Sequence, residues 1–120
     1  MKVVVTSTGQ DLSSAVDPRF GRARFFIVVD TDSGEFEVLD NEQNLNAAQG
    51  AGIQAARNVG ETGAQAVVTG NIGPKAFAAL SAMKVAIHTG ASGTVAEAIE
   101  QFKAGGLEVA GGANVEGRWT

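Results

Sequence analysis

Apolar residues follow two different rhythms along this chain. Up to about residue 40 they gather in short runs of strand length. Beyond residue 50 they return every three or four positions, with short β-branched runs in between. Lys2–Thr6, with Val3, Val4 and Val5 in succession, predicts a buried strand. Arg24–Asp30 (Arg-Phe-Phe-Ile-Val-Val-Asp) is apolar on both faces, as a central strand covered on two sides requires. Thr31-Asp32-Ser33-Gly34 has strong turn chemistry, and Glu35–Leu39 then alternates acids with Phe36 and Val38. That alternation predicts an antiparallel edge strand with one dry face, on which Glu35 and Glu37 oppose edge-to-edge association.

The later rhythm predicts helices alternating with strands. Gly50–Gly60 is Ala-rich and brings Ile53, Ala56 and Val59 or Gly60 to one side of a helix. Ala66–Thr69 reads as a strand. Gly73-Pro74 opens a second helix, since proline loses no hydrogen bond at the first helical position. Phe77, Leu80 and Lys84 share its face, and it is expected to stop near Met83. Lys84–His88 reads as a third buried strand. Thr94 and Glu97 have capping-box spacing at the start of a helix whose buried stripe is Val95, Ile99 and Phe102. Gly105-Gly106 ends it. Leu107–Val109 allows one more short strand, and the glycine-rich remainder is expected to be mobile. The expected organisation is a single α/β domain over residues 1–105 with a C-terminal tail over 106–120.

Right-handed crossovers place the first strand beside the fourth and then the fifth, with the hairpin on its other side. The result is an α/β fold: a ribonuclease-H-like mixed five-stranded sheet of order 3-2-1-4-5, strand 2 antiparallel, with helices on both faces.

Composition narrows the function classes. With 120 residues, 44% of them hydrophobic, the chain has material for one real core. A formal net charge of −4 argues against nucleic-acid and membrane-surface partners. The absence of cysteine removes disulfides, thiolate catalysis and cysteine-ligated metal centres. No apolar run reaches signal-peptide or membrane-spanning length, so a cytoplasmic location is the default expectation. Six of the 13 acids lie between Asp30 and Glu42, where alternation with apolar residues reads as a solvated hairpin. Val16-Asp17-Pro18-Arg19-Phe20-Gly21-Arg22-Ala23 carries the opposite charge. Together with Arg24 it places three of the nine basic residues within six positions.

In open α/β sheets, ligands collect beyond the carboxyl ends of the parallel strands. That rim receives Thr6-Ser7-Thr8-Gly9 leading into the arginine octet, Thr69–Lys75 after strand four and Thr89–Thr94 after strand five. The last two loops enter helix N-termini, whose N–H groups and dipole favour anions. Lys75 stands in a first helical turn against the dipole preference, which marks it as a candidate ligand contact. There is no Walker A motif, no G-x-G-x-x-G and no nucleophile elbow. His88, the only histidine, reads as structural. Carboxylates for a two-metal nuclease are absent from the first strand. Nothing here composes a catalytic constellation, and the chain reads as a non-enzyme.

Four blocks in register resemble the dinitrogenase iron–molybdenum cofactor biosynthesis family across residues 1–105. They are Val16–Ala23 with Phe26, Gly50–Ala56, Thr69–Pro74 and Gly93–Ala98. The chain is most similar to the small stand-alone members of anaerobic bacteria and archaea. The resemblance implies non-covalent carriage, or an assembly scaffold, for a preformed anionic molybdenum-containing metal–sulfide cluster, with copper as a candidate second metal. Nitrogenase-associated relatives often have histidines flanking the Phe-Gly pair, where this chain has Arg19 and Arg22. The cluster would then be held by charge and hydrogen bonds and not by protein–metal bonds. On this reading Arg19, Arg22 and Lys75 supply charge; Asn71, Gly73 and Ser92 supply polar or backbone donors; Phe20, Ile53 and Ile72 supply apolar contacts. Cluster-delivery or acceptor proteins are the implied partners. Two other readings stay open at this point: a cofactor-free protein-interaction module, with Trp119 as one candidate partner contact, and a binder of a small anionic metabolite or phosphate.

Overall fold

Val3, Val4 and Val5 are wholly buried because their strand, β1 (Lys2–Ser7), lies inside the sheet with helices over both faces. The computed structural model describes residues 1–41 and 50–112. The remaining elements are β2 (Phe25–Asp30), β3 (Phe36–Asp40), α1 (Ala51–Glu61), β4 (Ala66–Val68), α2 (Pro74–Ala82), β5 (Ala86–Thr89), α3 (Val95–Lys103) and β6 (Glu108–Val109). The strand order is β3-β2-β1-β4-β5-β6. β1, β4 and β5 are parallel, β2 is antiparallel to both β1 and β3, and β6 is antiparallel to β5.

Register explains the uninterrupted apolar runs. Val4 lies opposite Val28 and Val67, and these three side chains enter one core with Phe26, Ile87, Val59 of α1 and Leu80 of α2. The alternate residues Val3, Val5, Ile27 and Val68 enter a second core closed by Val95, Ala98 and Ile99 of α3. Successive residues on each central strand thus serve opposite cores; among the described residues, α1 and α2 cover one face and α3 the other.

Three expectations are revised. The sheet has six strands, not five: Glu108–Val109 pairs with β5, and the Ala110 N–H donates to the Ile87 carbonyl at 2.8 Å. The short strand allowed at Leu107–Val109 thus forms over Glu108–Val109 and joins the sheet as an exposed edge, which the five-stranded count left out. β3 does not have one dry face. Phe36 is 41% exposed, while Val38 and Leu39 each pack partly against a different core. β5 begins at Ala86, because Lys84 turns the chain with φ 61° and the Val85 N–H returns to the Leu80 carbonyl at 3.0 Å. Lys84 and Val85 therefore close α2. Glu42, Trp119 and the tail beyond residue 112 lie outside the described residues.

Candidate functional site

The arginine loop is fastened at its start to β1. The Asp17 N–H donates to the Thr6 carbonyl at 3.0 Å, and the buried Thr6 hydroxyl donates to the Asp17 carbonyl at 2.7 Å. Thr6 Oγ1 also lies 2.9 Å from Thr69 Oγ1, which joins β1 to the end of β4 beneath the loop. The Asp17 carboxylate then accepts the Arg19 N–H at 3.0 Å, an Asx turn across Pro18.

The next join is to the loop that enters α2. The Pro18 carbonyl accepts both the Asn71 N–H at 2.8 Å and the Asn71 side-chain amide at 3.1 Å. Arg19 and Asn71 form a parallel bridge. Close approach is allowed because residue 70 is glycine: a Cβ there would stand 2.9 Å from the Pro18 Cα. Gly73 is the N-cap of α2 in extended conformation and supplies no side-chain cap. Pro74 has no N–H, so Lys75 and Ala76 carry the first N–H groups of this helix.

The approach to α3 is different. The Val16 N–H donates to the Gly93 carbonyl at 2.9 Å, and Ala15 bridges Thr94. The first N–H groups of α3 are consumed by the protein. Val95 donates to the Ser14 carbonyl and Ala96 to the Leu12 carbonyl, each at 2.9 Å. Glu97 donates to Thr94 Oγ1 at 3.1 Å, and the Glu97 carboxylate accepts the Thr94 N–H at 2.9 Å, completing the expected capping box. An anion cannot use donors that are already satisfied, and the Glu97 carboxylate would repel it. The expectation that both helix starts serve an anion is corrected: α3 is closed, and α2 has no side-chain cap.

The site residues named from the sequence divide accordingly. Arg19 and Lys75 are exposed, Arg22 and Asn71 are half-buried, and Gly73 is buried at the mouth of α2. Ile53 is half-buried in the first turn of α1, another helix without a side-chain cap. α1 runs down to the start of β4, so this turn lies at the same end of the sheet as the rim loops. Ser92 is exposed beside closed α3, and its carbonyl accepts the Gln101 side-chain amide at 3.2 Å. Phe20 and Ile72 are 1% exposed and belong to the core under α1 and α2, with the Phe20 ring centroid 5.3 Å from that of Phe26. They support the loop from below. Arg24 is drawn aside, 2.7 Å from Asp40 and stacked 4.3 Å over the Phe25 ring.

Asn41 escapes the sequence reading. It is fully buried and donates its side-chain amide to the Ala23 carbonyl at 2.7 Å and the Gly21 carbonyl at 3.3 Å. Its own N–H reaches the Arg24 carbonyl at 3.1 Å, so Asn41 holds the far end of the arginine loop. The available signal was an amide at the end of an edge strand, which turn chemistry explains equally well. Asp11 anchors the preceding bend, and the Ser13 and Ser14 hydroxyls hold its carboxyl below the ordinary carboxylate value. Among the described residues, no group of three or more His, Cys, Asp or Glu side chains is placed to hold a metal ion.

Residues 1–105 match the model of the dinitrogenase iron-molybdenum cofactor family. The chain belongs to that family. It is 39% identical to the orange protein of Desulfovibrio gigas, whose apo form superposes with a TM-score of 0.92 over 95% of this chain and 96% of that one. It is also 39% identical to a putative NifB protein of Thermotoga, with a TM-score of 0.79 over 90% of this chain and 91% of that one. An uncharacterized protein of Methanocaldococcus jannaschii is 28% identical over 99 residues, covering 80% of this chain and 83% of the relative. Among the described residues, no helix is long and apolar enough to cross a membrane.

Proposed function

We propose that this chain is a non-covalent carrier or assembly scaffold for an anionic molybdenum-containing metal–sulfide cluster, with copper as the second metal. The observation that carries the reading is the junction of Arg19 with Asn71 at the entrance to α2. It puts Arg19, Asn71, Lys75 and a helix start with no side-chain cap on one stretch of rim. The family description names a molybdenum cofactor, and the similar orange protein has an apo form, as a cargo-binding protein does.

The donor set fits such a cargo. Sulfide-rich clusters are polyanions with polarizable surfaces, suited to guanidinium and N–H donors. The chain has no cysteine to displace cluster sulfide, so the cargo can enter and leave whole. Arg19, Arg22 and Lys75 supply charge, the α2 start supplies hydrogen bonds, Asn71 holds the loop beside them through the Pro18 carbonyl, and Ile53 supplies an apolar contact. Ser92 lies on the side of closed α3 and contributes only at the margin. Delivery and acceptor proteins would reach the cargo from the exposed side of the rim.

Anaerobic addition of tetrathiomolybdate and copper to the purified protein tests the reading. The wild type should retain both metals through gel filtration and develop visible charge-transfer absorbance. Arg19→Ala/Arg22→Ala should lower retention about tenfold, the scale of two solvent-accessible charge contacts worth up to about 1 kcal/mol each. A wild type that retains no metal overturns the function. Equal retention by both proteins overturns the site.

A further inference from the structure

The most buried acid of the rim sits inside the positively charged loop. The Asp17 side chain is 7% exposed, and its Oδ1 lies 3.0 Å from the Arg19 backbone nitrogen and 3.8 Å from Arg19 Nε. The backbone of Asp17 is tied to β1 through Thr6 in both directions. The Asp17 main chain is thereby fixed, and its buried carboxylate holds the Arg19 N–H in the turn. Pro18, between the two, has its carbonyl held by Asn71 and its ring limiting the backbone. A single oxygen thus sets the turn that aims Arg19 and places negative charge beside its guanidinium.

We propose that Asp17 is a positioning residue of the anion site with two separable effects. As an acceptor it fixes Arg19 in the turn; as a carboxylate it offsets part of the Arg19 charge and so weakens the hold on an anion. The second effect rests on the cluster-carrier reading given above. It suits a carrier, which must release what it binds: full pairing of a polyanion by uncompensated guanidinium groups would slow dissociation.

Two variants separate the effects. Asp17→Asn keeps an acceptor oxygen of the same reach and removes the charge; Asp17→Ala removes both. The readouts are NMR-detected hydrogen exchange of the Arg19 amide without ligand, and the Kd for tetrathiomolybdate at low and high salt. In Asp17→Asn the Arg19 amide should stay as protected as in the wild type. Its affinity should rise about three- to tenfold at low salt, the scale of one nearby charge in a wet site, and the gain should shrink at high salt. In Asp17→Ala the Arg19 amide should exchange faster, and binding should be weaker than in Asp17→Asn.

Unchanged protection of the Arg19 amide in Asp17→Ala overturns the positioning effect. Affinity in Asp17→Asn equal to or below that of the wild type overturns the charge effect. If the wild type binds no tetrathiomolybdate, the carrier reading falls and takes the charge effect with it. The amide comparison still decides the positioning effect in that case.

Discussion

Pro18 and Gly70 meet backbone to backbone: a Cβ added at Gly70 would stand 2.9 Å from the Pro18 Cα and 3.0 Å from its carbonyl oxygen. The nearest atoms are main chain and have no rotamer by which to withdraw. Gly70→Ala is therefore expected to push the arginine loop off the α2 entrance. The overpacking cost should be about 1–3 kcal/mol, measured by urea denaturation. Retention of tetrathiomolybdate and copper should fall as well, because Arg19 separates from Asn71.

Thr6→Val should destabilise the fold by about 1–3 kcal/mol, since the buried Asp17 carbonyl loses its side-chain donor and Thr69 loses a hydroxyl partner. Thr6→Ser keeps the hydroxyl and should lose less. Thermal melts of the two variants check the order.

Thr94→Ala should cost about 1 kcal/mol by breaking the capping box. Its affinity for tetrathiomolybdate should match that of the wild type, because the first donors of α3 are bound to Ser14 and Leu12. A changed affinity would put α3 back into the anion site.

His88 makes stability depend on pH. Its ring meets Phe102 edge-on with centroids 4.8 Å apart, and burial lowers its pKa from the ordinary 6.5. The unfolded chain therefore takes up a proton more readily than the folded one, and stability rises with pH through this window. The contribution is complete above 6.5, starts to fall as the unfolded chain protonates, and is gone below the depressed folded value. His88→Phe keeps the aromatic contact and should flatten the Tm profile between about pH 7 and 5 relative to the wild type.

The order of the first five strands was legible because the apolar runs of β1 and β2 have strand length and right-handed crossovers fix where β4 and β5 must lie. The Thr94–Glu97 capping box was equally legible, being a local device written within four residues. The rim was only half legible. Its loops and cations could be named, but not that the Ser14 and Leu12 carbonyls occupy the donors of α3, since that pairing joins segments about eighty residues apart. Phe20 was expected as an apolar contact to the cluster, but it is 1% exposed and belongs to the core. Its burial depends on Phe26 and on two helices later in the chain. Asn41 carried only an ambiguous signal, for its partners are main-chain carbonyls that any sequence would offer.

The joins of the arginine loop to Gly93, to Asn71 and to β1 run largely through main-chain atoms. A frame assembled in this way is nearly indifferent to the side chains that it displays. Positions 19 and 75, whose side chains are exposed, can then be exchanged like fittings on a fixed bracket, so the grip on a cargo can be retuned without rebuilding what carries it.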